Sequence, residues 1–179
     1  HLGHGGQEAD GDATGTIRVN AQQGQIQFLG DDANEGYGML GHGGRSSRGD
    51  YAGDIDVSAA GAITFRSGAT GARAFTQLGH GGFDADNPNG GLQSVGNSGD
   101  ITVDAGGPIS FSAGVGDDSF TQLGHGGRST NGDHIGNIDV DSGGAITFTS
   151  ANAARAYSQL GHGGRDARGD HTGTLDVTS

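Results

Sequence analysis

The sequence predicts an all-β parallel β-helix, a solenoid, and three observations carry that prediction. The pentapeptide Leu-Gly-His-Gly-Gly recurs five times, starting at Leu2, Leu40, Leu78, Leu123 and Leu160, with successive separations of 38, 38, 45 and 37 residues. A recurring period of this size marks a stacked architecture. Between the pentapeptides the same short segments return, an Ile-x-Val strand and an Ile-x-Phe strand separated by a glycine turn. Strict alternation of this kind is the mark of a half-buried strand. Helices are disfavoured, because 40 of the 179 residues are Gly and no segment keeps a 3.6-residue apolar period over three turns.

The elements follow in order. In the first repeat, Ile17 and Val19 share one strand face, residues 22–24 turn, and Ile26 and Phe28 share the next face. The second repeat is the clearest: Ile55 and Val57, then Ile63 and Phe65, then a third strand from Phe75 into Leu78. The third repeat carries Ile101, Val103, Ile109 and Phe111, and the fourth Ile138, Val140, Ile146 and Phe148. These side chains form the predicted core, each above its equivalent. The fifth repeat ends after Leu175 and Val177. The first strand's Ile or Leu lies 13 residues after the His in four repeats, but Ile101 lies 21 after His80. The extra length therefore sits in one loop, residues 83–98 with Pro88, which is the expected place for a local contact.

On this reading residues 1–179 are one segment of a longer array. The 38-residue unit is expected to divide into about two coils of about 19 residues, since so few apolar groups would not fill one wide turn. Equivalent residues would then lie about 9.6 Å apart along the axis, two strand spacings.

Composition narrows the function. The formal net charge is −12, with 21 acidic residues against nine Arg and no Lys, so there is no basic face for nucleic acid. Cys is absent, which removes disulfides and thiol chemistry. No apolar run is long enough to span a membrane as a helix.

The segments Gly99-Asp100-Ile101-Thr102-Val103, Gly107 to Gly114 and Phe120 to Gly127 together resemble the repeats of very large secreted bacterial proteins, the filamentous haemagglutinin-type adhesins. The resemblance covers essentially the whole chain. It implies a right-handed parallel β-helix, export to the bacterial surface or beyond, and a shaft without enzymatic chemistry. The doubled unit and the His-Gly-Gly element are additions to the simple shaft repeat, so adhesin shaft, biofilm-matrix fibre and other surface protein all stay open.

Several residues invite sharper readings. His4, His42, His80, His125 and His162 form a longitudinal row. Imidazole is a common metal ligand, but the spacing of the row opposes a shared ion. The expectation is a corner histidine whose ring nitrogen holds a backbone carbonyl of a glycine loop. Asp12, Asp50, Asp133 and Asp170 each lie eight residues after a His and follow a Gly, so calcium is the ion these loops would take; the alternative is a solvated acidic face, since the Gly-Gly-x-Gly-x-Asp nonapeptide of calcium-binding rolls is missing. Arg48-Gly49-Asp50 and Arg168-Gly169-Asp170 spell an integrin-ligand tripeptide, but Gly-Asp belongs to the repeat and the Arg does not mark a receptor site.

The expected function is the structural shaft of a secreted surface adhesin or extracellular fibre, not an enzyme. Its partners are further repeats of the parent chain, end-to-end or lateral copies of itself, and surface glycans. The alternatives are a β-helical polysaccharide-processing enzyme and a calcium-dependent carbohydrate-binding module. Against an enzyme, nearly the same Asp pairs recur in every unit, whereas an active site occurs once.

Overall fold

Period-2 alternation gives each Ile-x-Val and Ile-x-Phe segment one apolar face, and a strand with one apolar face buries it against its equivalents. A computed structural model, describing residues 1–85 and 96–179, shows this arrangement. All regular structure among the described residues is strand, arranged in five parallel sheets. The long sheet holds Ile17–Ala21, Ile55–Ala59, Ile101–Ala105, Ile138–Ser142 and Leu175–Thr178. The phenylalanine sheet holds Ile26–Leu29, Ile63–Arg66, Ile109–Ser112 and Ile146–Thr149. A third sheet holds Tyr37–Leu40, Phe75–Leu78, Phe120–Leu123 and Tyr157–Leu160.

Two further sheets were not predicted. A glycine sheet is built from Gly43–Arg45, Gly81–Phe83 and Gly126–Arg128. A short sheet holds Ala13–Thr14, Tyr51–Ala52, Gly96–Ser98, Asp133–Ile135 and His171–Thr172.

The register corrects the coil count. Ile17 pairs directly with Ile55, Ile55 with Ile101, Ile101 with Ile138, and Ile138 with Leu175. Each repeat is therefore one coil, not two, and equivalent residues are one strand spacing apart. The interior is filled because the coil is pinched into two lobes. The main core joins Ile55, Val57, Ile63, Phe65 and Leu78 with their equivalents. A second, smaller core joins Met39, Phe75, Phe83 and Phe120, flanked by Tyr37 and Tyr157. The third sheet is the shared wall: every residue of Phe75–Leu78 and of Phe120–Leu123 is buried.

Stacking is close in the main core. The rings of Phe28, Phe65, Phe111 and Phe148 lie 4.7 Å apart in sequence along the axis and nearly parallel. Ile55, Ile63, Phe65, Ile101, Ile109 and Val140 are fully buried, with Val57, Val103, Phe111 and Ile138 almost so. Five predicted core residues differ: Ile17, Val19 and Ile26 in the first coil are only partly buried, and two more stand at the other end. Ile146 is only partly buried, and Phe148 is 46% exposed although it stacks on Phe111. Both stand in the last strand of their sheet, with a neighbour on one side only.

The flanks of loop 83–98 are held in the fold. Phe83 is buried in the second core, and Asn97 is buried beside His134. Residues 86–95, including Pro88, lie outside the described residues.

Candidate functional site

Polar side chains that could do chemistry gather at the corner after the shared wall, where Leu-Gly-His-Gly-Gly turns the chain. Here the glycines are required by geometry. Gly41 and Gly79 adopt φ of 151° and 141°, and a Cβ on either would collide with the carbonyl of the equivalent glycine in the next coil. Only Gly combines that backbone with that approach.

The corner histidines stack face to face, ring centroids 5.1, 4.8, 4.8 and 5.0 Å apart from His4 through His42, His80 and His125 to His162. Four of these rings, those of His42, His80, His125 and His162, use both nitrogens. Nδ1 of His42, His80, His125 and His162 accepts the backbone N–H of the preceding coil's His at 3.0, 2.9, 3.0 and 3.1 Å. Nε2 of the same rings donates to the carbonyls of Gly15, Gly53, Gly99 and Gly136 at 2.8–2.9 Å. A carbonyl cannot donate, so Nε2 carries the proton and the ring is neutral. Each ring thereby ties the end of the main lobe to its start, 26 or 27 residues earlier. Burial lowers the His42 and His162 pKa, pushes that of His80 down to about 4, and holds His125 well below the ordinary imidazole range. The 9.6 Å spacing expected within this row is corrected to the single-coil stack. Metal ligation fails for another reason: both nitrogens of the four rings are already bonded.

Glutamine completes the corner, and its role was not read from the sequence. The amide nitrogen of Gln77 lies 3.1 Å from the carbonyls of His80, Gly124 and Gly126. Gln122 repeats this one coil on, with His125, Gly161 and Gly163. The signal was available: Gln recurs one residue before the Leu in three repeats, on the strand face opposite Leu.

The acidic loops form ladders. Oδ1 of Asp12 accepts the Asp50 N–H at 3.0 Å, Asp50 that of Gly96 at 3.3 Å, and Asp133 that of Asp170 at 2.9 Å. Asp54, Asp100 and Asn137 do the same along the neighbouring column. A carboxylate accepting a main-chain N–H is a satisfied structural group. Among the described residues no three His, Cys, Asp or Glu side chains gather where a metal ion could sit. Asp12, Asp50, Asp133 and Asp170 stand one per coil.

A second histidine pair occupies the short sheet. His134 and His171 stack 5.0 Å apart, with Asn97 and Thr130 at hydrogen-bonding distance from the His134 ring. On the outer face of the long sheet a shallow trough of about 290 Å³ runs between two polar ranks, lined by Arg18, Asn20, Asp56, Ser58, Thr102 and Asp104. No helix among the described residues is long and apolar enough to cross a membrane. No protein-family model, no curated protein and no solved structure matches this chain.

Proposed function

We propose that this segment is a structural shaft, of the kind that forms the rod of a secreted bacterial surface adhesin or extracellular fibre. One observation carries the reading: the side chains best suited to chemistry are spent on neighbouring backbone. The His row, the Gln column and the Asp ladders each bond the main chain of an adjacent coil or the same corner. Such a design lengthens by adding coils. Its partners are further coils of the same kind, joined through the chain or end to end.

The test is localisation and chemistry together. Antibodies raised against the chain should decorate the surface or extracellular fibres of the producing cells, and the pure protein should release no reducing ends from a polysaccharide panel. Label confined to the cell interior would contradict the shaft. So would polysaccharide cleavage abolished by changing one carboxylate, for example Asp104→Asn.

The trough on the long sheet favours one second reading, contact with a surface glycan. Its ranks of Asp, Asn, Ser and Thr offer hydrogen bonds to sugar hydroxyls at a repeated spacing. Glycan-array binding lost on Thr102→Ala would support it.

A further inference from the structure

The His row has a property the shaft does not need. Its rings satisfy the corner only in the neutral state protonated on Nε2. A second proton would have to go on Nδ1, which already receives a main-chain N–H. Protonation therefore removes a coil-to-coil hydrogen bond and leaves two donors pointing at each other. It also places a charge about 5 Å from the next ring, where a second charge is repelled. We propose that the Leu-Gly-His-Gly-Gly row is an acid-sensitive zipper: protonation of its histidines opens the coil corners and unfolds the rod in mildly acidic solution.

The groups facing the row do not rescue the charged form. His42 faces His4 and His80; His80 faces His42, His125 and the Asp54 carboxylate; His125 faces His80, His162 and His134; His162 faces His125 and His171. Asp54 is the one acid among them that raises the basicity of a row ring, and burial outweighs it at His80. His80 and His125 are fully buried, and His42 nearly so. They are reached by protons chiefly when the corner opens.

The sign follows from the folded state. An unfolded histidine titrates near 6.5, while His80 titrates at about 4 in the fold. Between those values the unfolded chain binds more protons, so stability falls as pH drops through this window. Above 6.5 the contribution is complete; below about 4 no more is lost from this residue. Carboxylates with ordinary values act lower, near and below pH 4.

The experiment measures urea midpoints of the intact chain from pH 7.5 to 4.5, and derives proton uptake on unfolding from their slope. His80→Asn and His125→Asn are compared with the native sequence. Asn keeps an acceptor oxygen near the place of Nδ1 but does not titrate. The expected result is net uptake between pH 6.5 and 4.5, reduced by about one proton in each variant. Unchanged uptake in both variants would overturn the proposal. Should either variant fail to fold, nitrogen-15 spectra of the native chain decide. His80 and His125 should keep the Nε2–H form while the fold lasts and gain a second proton only as it is lost. Titration near 6.5 within an intact fold would overturn the proposal.

Discussion

Glu35 and Arg73 stand at the same corner of successive coils, both in the left-handed region with φ of 65° and 62°, and their carboxylate and guanidinium meet at 3.0 Å. Asp118 and Arg155 repeat the exchange in the next two coils, with φ of 63° and 66° and a closest approach of 2.6 Å. The acids also reach across to the second lobe. Arg45 of the glycine sheet pairs with Glu35, and Arg128 and Arg165 pair with Asp118. Two clusters of paired charge thus join the first coil to the second and the third to the fourth, and lobe to lobe in each.

Asp118 is the sharpest test of these clusters, because its side chain is 8% exposed and serves three guanidiniums. Asp118→Asn should destabilise the chain by about 1.5–3 kcal/mol, the range for hydrogen bonds to charged groups. The Arg155 guanidinium, with Arg128 and Arg165, holds the Asp118 carboxyl below its usual range against the opposing effect of burial. Its contribution is therefore complete above the unfolded carboxylate value of about 4 and is lost as pH falls below it. Urea titration at pH 7, above that window, should show the variant effect in full.

Phe65 is fully buried between Phe28 and Phe111. Phe65→Ala should cost about 3–5 kcal/mol as a core truncation. Phe148→Ala should cost less, since that ring has a stacking partner on one side only and is 46% exposed. Thermal unfolding that ranks the two equally would refute the stack as described.

Two glycines separate corner from turn. Gly79→Ala introduces a Cβ against the Gly124 backbone at φ 141°, and should abolish or severely reduce folded yield. Gly24 has open space around its Cβ position and no left-handed requirement. Gly24→Ala should be neutral or slightly stabilising, by up to about 1 kcal/mol. Circular dichroism of the two variants reads the difference.

Much of this architecture was legible in the sequence. Ile55, Val57, Ile63 and Phe65 announce their strands because alternation is a local signal, and the recurrence of the pentapeptide announces the stacking. The coil count was not legible. Phe75 and Leu78 lie on opposite faces of one strand, and nothing local says that both faces are buried against separate cores. Reading only the Leu side leaves a wide coil half empty. The glycine sheet was missed for a related reason: Gly43-Gly44-Arg45 has no alternation, and its pairing is dictated by close backbone approach. At the corner, the histidine's carbonyl bond follows from its place beside a glycine loop. Its Nδ1 bond to the preceding coil depends on a one-strand spacing that the two-coil reading excluded.

Each repeat is a single coil stacked directly on its equivalent. Arg18, Asp56, Thr102, Asp139 and Asp176 form one column on the outer face of the long sheet. The chain has no Cys, so Arg18→Cys with Asp176→Cys places two spin labels four coils apart. At one strand spacing per repeat, the backbone separation is about 19 Å. Pulsed electron spin resonance should give a distribution centred near that value, broadened by the label linkers. A distribution centred near about 38 Å, two spacings per repeat, would contradict the single-coil account.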